Sequence, residues 1–246
     1  MNRKLAIFVE LCLSLICVGC FGGHPQVIDE NISEVQTTPP DSLKAKMDLE
    51  LYDAEGALHE LSGVLFAVPE KRYRLELTGP IGIGVASLLW LPEKWTFIFP
   101  TEKKYIEGNG YWVGDLQNRI FPVVDIHQVA GFFWGSLLPQ KATIEREEDS
   151  LDWVLIHGKD TAQLAFTAAK EKSTGRIIWV ERGNSERVTF QEFVSYDGRI
   201  LPSEIAFFRG KTCFLKLHVK SVKTKVSWGE DVWHLEVPEN YHPLEE

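Results

Sequence analysis

A two-residue period constrains this chain more than any other feature. In Arg72–Thr78 it runs without error: Tyr73, Leu75 and Leu77 fall on one side, and Arg72, Arg74, Glu76 and Thr78 on the other. Successive strand side chains point to opposite faces, so the segment reads as a strand with one buried and one wet side. The same period recurs at 44–52, where Ala45, Met47, Leu49 and Leu51 oppose Lys44, Lys46, Asp48 and Glu50. Strands are also expected at 57–68, 85–91, Lys94–Phe99 and 104–107, with turn residues between them. After a charged turn at 146–150 they resume at 151–157, 163–169, 176–182, 188–196, 203–208 and 213–222, with one more at 232–237. Asp197-Gly198 is a two-residue hairpin signal. About twelve strands at spacings of roughly 8 to 12 residues predict an antiparallel sandwich or barrel, and about 200 residues fit one such domain.

Two places break the rhythm. Residues 108–139 do not alternate. There Asp125 can cap a helix running to about Leu138, with Ile126, Val129, Ala130, Phe133 and Leu137 at helical spacing. Phe132, Trp134 and Leu138 make it apolar on other sides too, so it needs cover on more than one side. It reads equally as a plug in the end of a barrel or as a mobile apolar lid. The second break is Gly79-Pro80-Ile81-Gly82-Ile83-Gly84, directly after the alternating strand. Pro80 fixes its φ and the glycines supply turn geometry. A branched residue between glycines on a tight turn has little core to pack into, so an exposed apolar tip fits a membrane or acyl-chain contact. Ile81 and Ile83 compete for that tip, and the bland alternative folds the isoleucine back onto the barrel rim.

The N-terminus carries a leader pattern. Arg3 and Lys4 precede a run, 5–18, that is apolar except for Glu10 and Ser14. It is short of the roughly 20 residues of a membrane span and suits a signal peptide. The run ends in Cys17-Val18-Gly19-Cys20, which looks like a bacterial lipobox with Cys17 where a leucine is usual. Residues 1–19 are then the signal, Cys20 the acylated residue and 20–42 a tether interrupted by Gly22, Gly23, Pro25, Pro39 and Pro40. The domain is expected over 43–246. Several acyl chains at about 0.8 kcal/mol per buried CH₂ anchor a protein firmly. Phe21 rather than Asp after Cys20 points to the outer membrane, with the domain facing the periplasm. The net charge of −9 argues against nucleic acid and general anionic attraction. Of the four cysteines only Cys213 is left for the domain, and it shares parity with Leu215, Leu217 and Val219.

Tyr73-Arg74-Leu75-Glu76-Leu77-Thr78-Gly79-Pro80-Ile81-Gly82 resembles the Tyr-Arg-Leu-x-Leu-x-x-Pro-Leu-Gly segment of the LolB family, within the LolA/LolB lipoprotein-localisation superfamily. The order of lipobox, strand meander, helical insertion near 115–139 ending at Gly135-Ser136-Leu137-Leu138-Pro139, and further strands is also similar, as is the apolar-Pro step in 199–205. The resemblance implies a mainly β, antiparallel, half-open (unclosed) barrel with a helical lid and an apolar cavity for acyl chains. It implies a receptor that accepts acylated lipoproteins from a LolA-like periplasmic carrier and inserts them into the outer-membrane lipid. It also implies a membrane-insertion loop of Gly79, Pro80, Ile81, Gly82 and Ile83, with Ile81 projecting. Candidate cavity residues are Met47, Leu49, Leu51, Tyr73, Leu75, Leu77, Phe132, Phe133 and Trp134, and either strand face can look inward. The chain runs longer than the family after Gly108 and at its C-terminus, where 228–238 looks more like LolA. A relative with the same fold and a structural, lipid-sensing or other envelope-assembly role is the alternative.

No nucleophile elbow, H-E-x-x-H, Gly-rich phosphate loop or Cys-x-x-Cys is present in the sequence. No enzyme activity, metal or cofactor is expected, and the protein is expected to be a monomer. Arg209, Lys211, Lys216, Lys220, Lys223 and Lys225 read as a solvated basic strand face, and His127 as a helix residue without a ligand role.

Overall fold

The structure is a computed structural model that describes residues 38–53, 55–109, 126–183 and 186–244. Six strands come first: β1 (Leu43–Tyr52), β2 (Leu58–Val68), β3 (Arg72–Thr78), β4 (Gly84–Trp90), β5 (Lys94–Phe99) and β6 (Lys104–Asn109). Helix α1 (Ile126–Phe132) follows. The second series is β7 (Thr143–Asp149), β8 (Trp153–Lys159), β9 (Ala165–Glu171), β10 (Ile177–Arg182), β11 (Glu186–Tyr196), β12 (Arg199–Arg209) and β13 (Thr212–Thr224), with a two-residue β14 (His242–Pro243) near the end. All belong to one sheet, in the order β14-β6-β5-β4-β3-β2-β1-β13-β12-β11-β10-β9-β8-β7. It is two antiparallel meanders joined where the first strand pairs with β13, as in Leu49↔Leu217 and Leu51↔Leu215. Among the described residues β6 and β7 do not pair with each other, so the barrel stays unclosed.

The period-two pattern sets which face is inside. Leu43, Ala45, Met47, Leu49 and Leu51 are buried on β1, Leu61, Leu65 and Ala67 on β2, and Tyr73 and Leu77 on β3. They share one core with Leu88, Trp90, Phe97, Phe99, Phe190, Leu201, Ile205, Phe207 and Leu217 from both meanders. Gly63 lies in this face opposite Met47. A Cβ there would stand 2.9 Å from Leu49 Cδ1 and 3.2 Å from Leu77 Cδ2, so no larger residue fits without displacing them. On the outer face part of the basic segment is paired: Lys220 Nζ lies 2.7 Å from Asp48, and Lys216 and His218 flank Glu50 at 3.9 and 3.2 Å. Cys213 is half-buried, and burial pushes its thiol pKa up.

Four expectations need correction. The helix ends earlier than Leu138. The Gly135 N–H donates to Phe132 O at 3.3 Å and the Ser136 N–H to Gly131 O at 3.0 Å, with Gly135 at φ +90°. That pair of bonds around a left-handed glycine is a Schellman stop. The expected cap, Asp125, lies outside the described residues. The charged turn at 146–150 is instead most of β7, an edge strand exposed along its whole length. Charges on both faces of an edge discourage pairing with other chains. β12 begins at Arg199, not 203, and carries Pro202 inside it. Pro202 pairs with Phe193 beside Glu192, which is left-handed at φ +51°, so the missing N–H falls at a local distortion of the ladder although the β11–β12 register does not shift. Finally, 232–237 is not a strand.

The C-terminal segment is a strap across the outer face. Arg72 makes two bonds to the Glu230 carboxylate, at 2.8 and 3.2 Å, and lies over the Trp233 ring at 4.4 Å. Arg74 Nη1 donates to Val232 O at 2.8 Å and His234 O at 2.7 Å. Trp228 packs edge-on against Phe66 and Trp233. The outward side chains of β3 thus hold protein as well as water. Beyond the strap, the His242 and Leu244 N–H groups donate to Lys103 O and Tyr105 O, adding β14 to the edge of β6. Arg74→Ala removes two charge-assisted bonds to backbone, at about 1.5–3 kcal/mol for such bonds. The expected result is faster amide exchange in 232–237 with the inner core unchanged, read by hydrogen–deuterium exchange.

Candidate functional site

Every residue of the expected cavity set lies on one face. Met47, Leu49, Leu51, Tyr73 and Leu77 are buried there, and Leu75 is half-buried against them. Phe132, Phe133 and Trp134 meet that face from α1 and the turn after it, and all three are buried. Phe132 sits edge-on to Phe190 at 5.1 Å and near Phe207 at 6.2 Å. At the start of the helix His127 stands edge-on to Tyr73 at 4.7 Å and to Trp90 at 4.3 Å. The short helix therefore bridges β3 and β4 of the first meander to β11 and β12 of the second. All its residues but Gln128 are buried, so it is apolar on several sides because it is covered on several sides.

Polar links tie the helix to its surroundings. Gln140 donates to His127 O at 2.8 Å, and Arg199 donates to Trp134 O at 3.3 Å and Thr38 O at 2.9 Å. Arg182 Nη1 reaches Gln128 Oε1 at 3.4 Å, while its other nitrogen bonds the buried Asp160 carboxylate. Burial would raise the Asp160 pKa, but Arg182 and the Leu164 and Ala162 amides outweigh it and hold the carboxyl below its usual range. Pro40 is buried and Ser42 donates to Val226 O at 2.7 Å, so the chain is already packed just ahead of β1.

Burial lowers the His127 pKa from 6.5 to about 4. The unfolded chain then takes up this proton near pH 6.5 and the folded protein only near 4. Stability from the neutral ring is complete above about pH 6.5 and falls as pH drops toward 4. At about 1.4 kcal/mol per pH unit the whole loss is about 3 kcal/mol. Urea titrations between pH 6.5 and 5 read it before most carboxylates protonate. His127→Phe is expected to flatten that stretch, and an unchanged slope in the variant contradicts the assignment.

The loop after β3 is the opposite case. Gly79 N–H donates to Ile83 O at 2.8 Å and Gly82 N–H to Gly79 O at 3.1 Å, which pinches it shut. Inside this pinch Ile81 sits at φ +63°, ψ +16°, and Gly82 at φ +77°. A left-handed conformation is costly for a β-branched residue and easy for glycine. Ile81 is 94% exposed and Ile83 53%, so Ile81 is the tip. Pro80 and Gly82 are exposed beside it, and Gly79 packs close to Val85. Cys20 lies outside the described residues. Among the described residues no helix is long and apolar enough to cross a membrane.

Sequence reasoning missed several core members that β4, β5 and the second meander supply, among them Trp90, Phe97, Phe190 and Phe207. Their alternation is readable, but the contact of β1 with β13 that brings them together is not local.

Comparison with solved structures gives the fold. A LolA superfamily protein from Nitrosomonas europaea superposes with a TM-score of 0.60 at 14% identity, over 85% of this chain and 99% of that one. A domain assigned to outer membrane lipoprotein sorting from Vibrio parahaemolyticus gives 0.51 at 12% identity, over 78% of this chain and 88% of that one. The chain therefore shares the fold of these two proteins: an unclosed, mainly antiparallel sheet with a helix on its concave face. No protein-family profile and no curated protein matches its sequence.

Proposed function

We propose that this protein is a LolB-like lipoprotein, anchored to the outer membrane through Cys20 with its domain in the periplasm. It accepts acylated lipoproteins from a LolA-like carrier and inserts them into the membrane. The observation that carries the reading is Ile81, a branched apolar side chain held out in solvent by a backbone conformation that glycine would adopt at lower cost. Fully burying such a side chain is worth about 1.5–3 kcal/mol, so an exposed and strained one points to a use outside the fold. The apolar concave face, with Tyr73, Leu75 and Leu77 on the same strand that ends in this loop, supports acyl-chain binding beside it.

The proposed mechanism breaks no covalent bond. Acyl chains displace Phe132, Phe133 and Trp134 from the concave face, and Ile81 then enters the bilayer and opens a path for them. A transfer assay tests this. Carrier-bound, fluorescently acylated lipoprotein is mixed with vesicles bearing the anchored protein, and label in the bilayer is followed. Transfer that depends on the protein is expected; transfer equal to bare vesicles contradicts the reading. The complete burial of Phe132 and Phe133 favours a second reading, in which the plug stays put and the domain serves an envelope assembly without lipid inside.

A further inference from the structure

Among the described residues six large apolar side chains are exposed: Leu58, Ile81, Ile83, Ile144, Leu151 and Leu164. Strand directions sort them by end. The Tyr52↔Leu58 pair closes the β1–β2 turn, and Thr78↔Gly84 closes the loop of Ile81 and Ile83 at the same end of the first meander. In the second meander Leu51↔Leu215 puts the start of β13 at that end, and the antiparallel order carries it on to Lys159↔Ala165 and Thr143↔Lys159. Leu164, in the β8–β9 turn, and Ile144, one residue into β7, therefore share the end of Ile81. Leu151, in the β7–β8 turn, is at the other.

We infer that this whole end of the barrel is a bilayer-docking rim, in which Leu58, Ile144 and Leu164 touch the lipid interface together with the inserted Ile81. The inference rests on the membrane-delivery reading and extends it from one loop to a surface. Two observations favour a bilayer as the occupant. The first is charge. At this rim acids and bases are set against each other: Lys159 with Glu145 at 2.8 Å, Lys104 with Glu102 at 3.9 Å, Arg209 with Glu186 at 3.5 Å and Arg182 with Asp160. Around Leu151, by contrast, Glu147, Glu148, Asp149 and Asp152 outnumber Arg146 and Lys172. In a chain of net charge −9, the turns carrying these pairs repel anionic headgroups less than the β7–β8 turn around Leu151 does, while the β1–β2 turn beside Leu58 keeps Asp53, Glu55 and Glu60.

The second observation is where the chain enters. Leu43 pairs with Ala67 and Thr224, so the N-terminal side of β1 is at the end opposite Ile81. A short anchor would hold that opposite end on the membrane. The eighteen residue steps from Cys20 to Thr38 span at most about 65 Å. The ten-residue β1 measures about 33 Å. The anchor is long enough for the barrel to turn over and set its Ile81 end on the bilayer.

The test uses the full acylated chain in phospholipid vesicles, with Cys213 replaced by Ala and one reporter cysteine at a time. Leu58→Cys, Leu164→Cys, Ile81→Cys and Leu151→Cys are each labelled with an environment-sensitive fluorophore, and brominated lipid acyl chains serve as quencher. Blue-shifted emission and bromine quenching are expected at 58, 81 and 164, with 151 like water. Quenching at 81 with 58 and 164 as wet as 151 overturns the rim and leaves the insertion loop standing. No quenching at 81 either means that the membrane reading itself fails. Quenching at 151 in place of 58 and 164 puts the other end on the bilayer and also overturns the rim.

Discussion

Ile81→Glu is expected to reduce delivery of acylated cargo to vesicles at least tenfold while leaving the urea unfolding midpoint unchanged. The side chain is 94% exposed, so replacing it removes no packing. What is lost is insertion. Burial of an isoleucine in hydrocarbon is worth about 1.5–3 kcal/mol, and 1.4 kcal/mol is already about a factor of ten. The backbone adds a second expectation with the opposite sign for stability. At φ +63° a β-branched residue is strained by about 1–2 kcal/mol, and Ile81→Gly relieves that strain in part. The glycine variant is expected to unfold at higher urea than the wild type and still to deliver poorly. Greater stability with less function separates a functional tip from a packed one. If Ile81→Glu unfolds the domain, the isoleucine belongs to the fold and the insertion role is wrong.

Phe132→Ala is expected to lower unfolding free energy by about 3–5 kcal/mol, the range for deleting a fully buried aromatic side chain. Phe132 is completely buried between Phe190 and Phe207, so the deletion leaves a void where the two meanders meet the helix. The same variant bears on function. If acyl chains take the place of this ring, the folded variant has a barrier removed and captures cargo at least as well as the wild type. If the helix is a permanent plug, stability falls and no capture appears in either protein. Chemical unfolding and cargo binding on one preparation separate the two.

Much of the fold was legible because its core strands are half-buried and half-wet. β3 and β5 fall at the residues where the period predicts them, and each other core strand lies within a few residues of its expected position. β7 was not legible for a physical reason. Glu145, Arg146, Glu147, Glu148 and Asp149 are exposed on both faces, so the strand carries no hydrophobic period and reads as a turn. The strap misled in the other direction. Residues 232–237 alternate, but the Val232 and His234 carbonyls are taken by the Arg74 side chain rather than by a neighbouring strand. Parity alone groups Met47, Leu49 and Leu51 on one face of β1 and Tyr73, Leu75 and Leu77 on one face of β3; that both groups share the inner face follows from the register through β2, which no local sequence signal carries. Which isoleucine forms the loop tip was not legible, because it depends on a positive φ at Ile81 that flanking glycines permit but do not require.

The central claim is that this barrel takes up acyl chains. Native mass spectrometry of the full protein after incubation with a triacylated lipoprotein, with the detergent stripped in the instrument, tests it most directly. The account predicts a one-to-one complex that keeps its acyl chains, and that the unacylated form of the same lipoprotein does not form. Equal adducts with acylated and unacylated cargo, or none with either, would contradict it.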